Sequence, residues 1–268
     1  MPPDDVGPHP DDGASTLTAT GLRVVRGGKA ILRGVDLDAR PGEVVGVLGP
    51  SGAGKSTLFR VLVGETAPDA GTVRIAKQDM TRWPLWRRAR AGVGYVPQGA
   101  SVLWDLTVRQ NLRTFQQIAE LPSTDASAEA ARVGLDHRLD VRAGALSAGE
   151  RRRLELARAL TRNPRVLVCD EPFAGVDPVA AGRLGDLLSE MAGRGAAVLL
   201  ADHHVAEALR VCTRALLLLD GTVAATAPAG EFRDHPLVRG RYLGTLGVAD
   251  GRGDGWADGA PGNEAPKP

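Results

Sequence analysis

Val44-Val-Gly-Val-Leu48, then Gly49-Pro50-Ser51-Gly52-Ala53-Gly54-Lys55-Ser56, then Thr57-Leu-Phe-Arg-Val-Leu-Val63 is the stretch that decides the fold. The first five residues carry no charge and suit a strand buried on both faces. The next eight satisfy G-x-x-x-x-G-K-[ST], and Lys55 to Val63 reads as the helix this motif requires. Glycines let the loop turn so that backbone N–H groups converge on phosphate oxygens. The helix N-terminus adds about half a positive charge at the same place. Lys55 is placed to reach β- and γ-phosphates, and the Ser56 hydroxyl to ligate Mg²⁺. The candidate binding residues are therefore Gly49, Pro50, Ser51, Gly52, Ala53, Gly54, Lys55, Ser56 and Thr57. Of 33 basic residues only Lys29, Lys55, Lys77 and Lys267 are lysines, which sets Lys55 apart.

Outward from this core, short apolar runs alternate with helical stretches. Gly92 to Val96, Arg165 to Cys169, Ala196 to Ala201 and Ala215 to Leu219 read as strands, Pro178 to Ala192 and Val205 to Val211 as helices. Pro178 stands in the first turn of its helix, where a missing N–H costs nothing. Such alternation predicts a largely parallel sheet covered on both faces. From Leu103 to about Ala159 the pattern is mostly helical, with breaks at Pro122 and around Gly144. That block, 103–160, reads as an inserted helical subdomain. The Pro- and Asp-rich residues 1–14 and the Gly-, Asp- and Ala-rich residues 248–268 read as disordered tails, since neither can bury enough apolar surface to offset ordering entropy. One folded unit is expected over 15–247.

Composition narrows the function classes. With 33 Lys and Arg against 32 Asp and Glu, the net charge of +1 argues against nucleic-acid binding through bulk charge. The longest apolar runs fall far below the ~20 residues of a membrane span. Met1 to Thr18 lacks an apolar h-region, so no signal peptide is expected. Two cysteines, Cys169 and Cys212, form no CxxC, which suits a reduced intracellular protein without a disulfide or zinc framework.

A phosphate loop needs a carboxylate at a strand end to support the metal. Val166-Leu-Val-Cys-Asp170-Glu171 supplies it. Asp170 is expected at the carboxyl edge of the sheet, where open α/β sheets bind ligands, supporting Mg²⁺ mostly through water. Glu171 then points the other way and is placed to act on an attacking water.

Leu146-Ser147-Ala148-Gly149-Glu150, followed by Arg-Arg-Arg-Leu-Glu-Leu-Ala-Arg158, resembles the signature motif of ABC ATPases. Ser147 and the bare backbone of Gly149 would form a second helix N-terminus able to hold a γ-phosphate. In that family the phosphate belongs to the opposite subunit's nucleotide. Ser147 and Glu150 also make a capping box, which is compatible with that role. The resemblance extends over Leu17 to Gly244. By it, Gln98 after Tyr95-Val-Pro matches the Q-loop glutamine, contacting Mg²⁺ or water and carrying the signal to a membrane partner. Asp177 in Ala174-Gly-Val-Asp177 matches the D-loop that crosses the dimer. His203 after Asp202 matches the switch histidine that touches the γ-phosphate, although composition alone would choose His204 equally. The resemblance implies an α/β P-loop NTPase with a mostly parallel core sheet, an antiparallel β portion and an inserted helical subdomain. It implies ATP hydrolysis with Mg²⁺, a homodimer, two transmembrane permease subunits, no nucleic acid, and peripheral association with the cytoplasmic face of the inner membrane.

Two departures stand out. Ala148 replaces the first signature glycine, which would cost about 1 kcal/mol or more if that position needed φ > 0. No aromatic residue precedes Gly27-Gly28, where the family stacks a ring on adenine; the segment is Val24-Val25-Arg26. Arg26 is the candidate substitute, laying its guanidinium plane over the base.

Within the family, Pro84-Leu-Trp-Arg-Arg-Ala-Arg-Ala-Gly-Val-Gly-Tyr95-Val-Pro-Gln98 through Trp104-Asp-Leu-Thr-Val108 is similar to the lipopolysaccharide-export branch, whose permeases are LptF/LptG-like. Glu171-Pro-Phe-Ala-Gly-Val-Asp177-Pro and Arg241-Tyr-Leu-Gly244 point the same way. Branched-chain amino-acid importers share part of the pattern. Soluble members acting on DNA or ribosomes need long coiled coils or two cassettes, and this chain has one signature motif. Lys55, Asp170, Glu171 and His203 together argue against a module that has lost hydrolysis.

Overall fold

The computed structural model describes residues 16–118 and 125–244. The two expected tails, Ser15, the break at Pro122 and the last expected domain residues, 245–247, lie outside the described residues.

The chain opens with a hairpin, β1 (Leu17–Arg26) and β2 (Lys29–Ala39). Its turn is Gly27-Gly28, both with positive φ (56° and 75°), a conformation glycine adopts without steric cost. With β4 (Ala70–Ile75) and β5 (Gln78–Asp79), these strands form an antiparallel sheet in the order β2-β1-β4-β5. On β1 the inward residues Leu17, Ala19, Leu22 and Val24 are buried.

The main sheet holds β3 (Val44–Leu48), β6 (Val93–Val96), β7 (Val166–Asp170), β8 (Ala197–Ala201), β9 (Arg214–Leu219) and β10 (Thr222–Pro228). Its order is β10-β9-β3-β8-β7-β6, parallel throughout except for the antiparallel β10 edge. β3, β7 and β8 are buried at every residue, as their apolar runs require, with Asp170 at the end of β7 the one charged residue among them.

Helix α1 (Lys55–Val63) fills the space between the two sheets, where Leu58, Phe59 and Leu62 pack with Leu17, Val35, Ile75 and Val47. α2 (Leu85–Arg90) leads into β6. The expected insertion is α3 (Val108–Ile118), α4 (Ala126–Arg132) and α5 (Ala148–Leu160), lying between β6 and β7. These helices, with α6 (Pro178–Gly193) and α7 (Val205–Val211), cover the other face of the main sheet through Leu112, Leu154, Leu184 and Leu188. A short turn, α8 (Pro236–Val238), runs into a π-helical turn at Arg239–Leu243 that buries Tyr242. No helix of the described residues is long and apolar enough to cross a membrane.

The consequence for function is positional. β3, β8 and β7 are neighbours, so the loops after Leu48, Ala201 and Asp170 leave the same edge of the sheet side by side.

Candidate functional site

The loop after β3 is shaped by glycines with positive φ at Gly49 (152°), Gly52 (79°) and Gly54 (107°). A Cβ on Gly49 would lie 2.2 Å from the Leu218 carbonyl oxygen, and one on Gly54 would lie 3.1 Å from that of Ile31. A Cβ on Gly52 would meet nothing within 4 Å, so the loop is closed behind and open in front. α1 has no side-chain cap and no acid in its first turn, which leaves its positive end to an anion. Lys55 Nζ donates to the carbonyls of Gly49 (2.6 Å) and Pro50 (2.9 Å). Burial pulls the Lys55 pKa down, and the charges of Glu171 and Asp170 act against that. This concave run of turned backbone beside a lysine suits a polyphosphate.

Asp170 ends β7 and is only 2% exposed. Burial pushes its carboxyl pKa up, while a hydrogen bond from the Ser56 hydroxyl opposes the shift. A hydroxyl and a carboxylate in mutual contact are hard oxygen donors of the kind Mg²⁺ takes, with water and phosphate oxygens completing its shell. Gln98, exposed just past β6, offers a third oxygen at the adjoining strand end. The residues fit Mg²⁺.

Glu171 sits at φ 55°, unusual for a residue with a side chain. Its N–H donates to Ala201 O at 2.7 Å, and the buried Arg152 donates to the carbonyls of both Asp170 (2.9 Å) and Glu171 (2.7 Å). Arg152 also donates to Pro97 O (2.6 Å), just before Gln98, and pairs with Glu155 at 2.9 Å. One guanidinium thus ties the ends of β6 and β7 to α5. Sequence reasoning misses Arg152, because Arg151, Arg152 and Arg153 are alike in composition. The available signal is helical phase, since Arg152 shares the buried face with Glu155 and Leu156.

Both histidines lie near Asp202, and they differ in their second neighbour. His203 Nδ1 lies 3.6 Å from Asp202 Oδ1 and 3.8 Å from Glu171 Oε2. His204 Nδ1 lies 2.9 Å from Asp202 Oδ1, and the fully buried Asp202 also accepts from the backbone of Phe173 and His204.

Ser147, Gly149 and Asp177 form a second group. Both halves of the capping box are present, Ser147 Oγ accepting from Glu150 N (3.2 Å) and Glu150 from Ser147 N (2.8 Å). Ala148 opens α5 and is not among the residues of positive φ, so the backbone cost considered for it does not arise. A Cβ on Gly149 would lie 3.5 Å from Gly175 O, which places the signature helix against the segment leading to Asp177. The Asp177 carboxylate caps α6, accepting from Val179 and Ala180. Arg26 lies at the β1–β2 hairpin. Its Nη1 donates to Val25 O (2.8 Å) and stands 3.7 Å from Asp69. The apolar side chain left exposed at that hairpin is Val25.

The family model described as ABC transporter matches residues 32–174. The chain belongs to that family. It is 41% identical over 241 residues to a probable ABC transporter ATP-binding protein of Azorhizobium caulinodans, covering 88% of this chain and 85% of that one. It is 39% identical over 235 residues to the lipopolysaccharide export system ATP-binding protein LptB of Escherichia coli, covering 86% and 98%. Among solved structures, an ATP-binding subunit of an ABC transporter superposes with TM-score 0.75 at 27% identity, over 87% of this chain and 98% of that one. The ADP conformation of another ATP-binding cassette superposes with TM-score 0.74 at 25% identity, over 84% and 97%. The protein is an ATP-hydrolysing, nucleotide-binding ABC cassette of the P-loop NTPase fold. Cassettes of this family work as dimers with transmembrane permeases.

Proposed function

We propose that this cassette powers extraction of lipopolysaccharide from the inner membrane, as a homodimer attached on the cytoplasmic face to two LptF/LptG-like permease subunits. The observation that carries the branch is 39% identity spanning 86% of this chain and 98% of the Escherichia coli LptB chain, together with the Pro84–Val108 and Arg241-Tyr-Leu-Gly244 segments.

In this reading the loop Gly49–Thr57 of one copy holds the phosphates of ATP, and Ser147 and Gly149 of the other copy close on the γ-phosphate, with Asp177 at the seam. Ser56, Gln98 and, through water, Asp170 would hold Mg²⁺. Bound there, Mg²⁺ neutralises charge on the β- and γ-phosphates. Glu171 accepts a proton from the water that attacks the γ-phosphorus, the bond to the ADP oxygen breaks, and phosphate leaves. His203 orients the attacked phosphate from the Glu171 side. Arg152 keeps the Glu171 backbone in its left-handed conformation, so the carboxylate is already aimed before ATP arrives.

Purification of the tagged chain from its native membranes, with its permeases identified by mass spectrometry, tests the branch. Recovery of an LptF/LptG-like pair is the expected result. Recovery of a branched-chain amino-acid permease pair would overturn it and leave the cassette chemistry standing.

A further inference from the structure

Tyr242 is distant from the phosphate loop in sequence and adjacent to it in space. It is 2% exposed, and it belongs to the same buried cluster as Leu48, Val205 and Leu217. Leu48 is the residue before the phosphate loop, and Val205 opens the helix that follows the two histidines. The phenol hydroxyl accepts a hydrogen bond from the backbone N–H of Gly49, and Asp202 lies near enough for its charge to act on the ring oxygen.

Gly49 is where β3 ends, so its N–H leaves the sheet ladder and needs another partner; a buried N–H without one is costly. Tyr242 supplies it. The carbonyl of the same residue accepts from Lys55 Nζ, and its Cα faces the Leu218 carbonyl too closely for any side chain. The first residue of the loop is thus held through its N–H, its carbonyl and its Cα. Only the N–H contact comes from outside the sheet and α1.

We propose that the Tyr242 hydroxyl is a positioning residue for nucleotide binding, fixing the first peptide of the phosphate loop so that the C-terminal turn sets the affinity for ATP. The proposal deepens the reading of Gly49–Thr57 as the phosphate cradle and rests on it. With the hydroxyl gone, the Leu48–Gly49 peptide loses its tether, and the next peptide, Gly49–Pro50, whose carbonyl holds Lys55, is hinged to it only through the Gly49 Cα. The cradle must then be ordered when ATP binds, which lowers affinity without altering the chemistry at Glu171.

The test is equilibrium binding of ATP to the full chain, with steady-state hydrolysis beside it. Tyr242→Phe keeps the ring and removes only the hydroxyl. It is expected to raise Kd and KM for ATP about three- to tenfold, the effect of losing one hydrogen bond, with kcat at saturation unchanged. Val238→Ala trims a buried side chain of the same terminal segment and leaves the hydroxyl in place. It is expected to lower Tm with Kd unchanged. Wild-type affinity in Tyr242→Phe, or an equal loss in Val238→Ala, overturns the proposal and leaves Tyr242 as core packing. Lys55→Ala separates the levels: it should abolish ATP binding, and if it binds normally the phosphate-loop reading falls and this proposal with it.

Discussion

His203 Nδ1 lies between Asp202 Oδ1 at 3.6 Å and Glu171 Oε2 at 3.8 Å, whereas His204 Nδ1 is hydrogen-bonded to Asp202 at 2.9 Å. Adjacent residues of the same type therefore face different tasks. Glu171→Gln is expected to lower kcat by ~10²–10⁴ while ATP still binds, because a positioned base is lost and the loop is not. His203→Ala should fall into the same range. His204→Ala should keep kcat within about threefold and lose about 1 kcal/mol of stability with its hydrogen bond. Steady-state kinetics and thermal unfolding of the three variants decide it, and a larger kcat loss in His204→Ala than in His203→Ala would reverse the assignment.

Lys55 and Ser147 belong to separate groups within one chain, as a site completed by a second copy requires. Lys55→Ala and Ser147→Arg are each expected to be inactive. A mixture of the two should recover about one working site per heterodimer. Ser147→Ala serves as the control, since it removes the α5 cap, worth about 1 kcal/mol, without a bulky intrusion. No recovery in a mixture whose heterodimers are verified would mean that each copy holds a complete site.

Arg88 is fully buried and donates to the carbonyls of Val61 (2.8 Å), Leu62 (2.7 Å), Thr81 (3.1 Å) and Trp83 (3.1 Å). It closes the C-terminus of α1, where Gly64 turns away with φ 82° and a Cβ would lie 2.6 Å from Trp83 O. Burial holds its pKa down to about 10, against the opposing charge of Asp79. Arg88→Met orphans these acceptors and is expected to cost about 2–4 kcal/mol, a fall in Tm of roughly 5–15 °C. Arg88→Lys, with three donors on one nitrogen, should fall between. An unchanged Tm in Arg88→Met would show that water satisfies the carbonyls.

How legible these features are depends on what marks them. α1 begins at Lys55 and ends at Val63 in both sequence and structure, because Gly54 and Gly64 bracket it. The parallel strands are readable because burial on both faces demands unbroken apolar runs. β1 is not, since Gly21 (φ 61°) interrupts its alternation and its pairing with β2 shifts register there, so the antiparallel sheet is reached only through family resemblance. Lys55, Asp170 and Glu171 stand out by spacing from strands. Arg88, Arg152 and Tyr242 act by donating to, or accepting from, distant backbone, and no local pattern records which carbonyl or N–H a folded chain will bring near.

The base end of the site offers the last test. Arg26 is the sequence's candidate for covering adenine, but its guanidinium is shared between Val25 O and Asp69, and Asp69 also accepts from Val25 N–H at 2.6 Å. The pair with Asp69 is exposed and worth under about 1 kcal/mol, so it biases the side chain without locking it. Val25 is 44% exposed at the same hairpin, and the next strand runs beside the loop, with Ile31 O 3.1 Å from a Cβ on Gly54. An aliphatic side chain at that position would contact a base without stacking on it. Val25→Tyr is therefore expected to lower the KM for ATP about fivefold, since stacking contributes ~1–3 kcal/mol per base. Arg26→Ala should raise KM by no more than about twofold, with kcat unchanged in both variants, because base contacts are the same in ground and transition states. Kinetics with ATP and GTP at fixed Mg²⁺ distinguish the two residues. A several-fold rise in KM for Arg26→Ala, with no gain in Val25→Tyr, would return the role to the guanidinium.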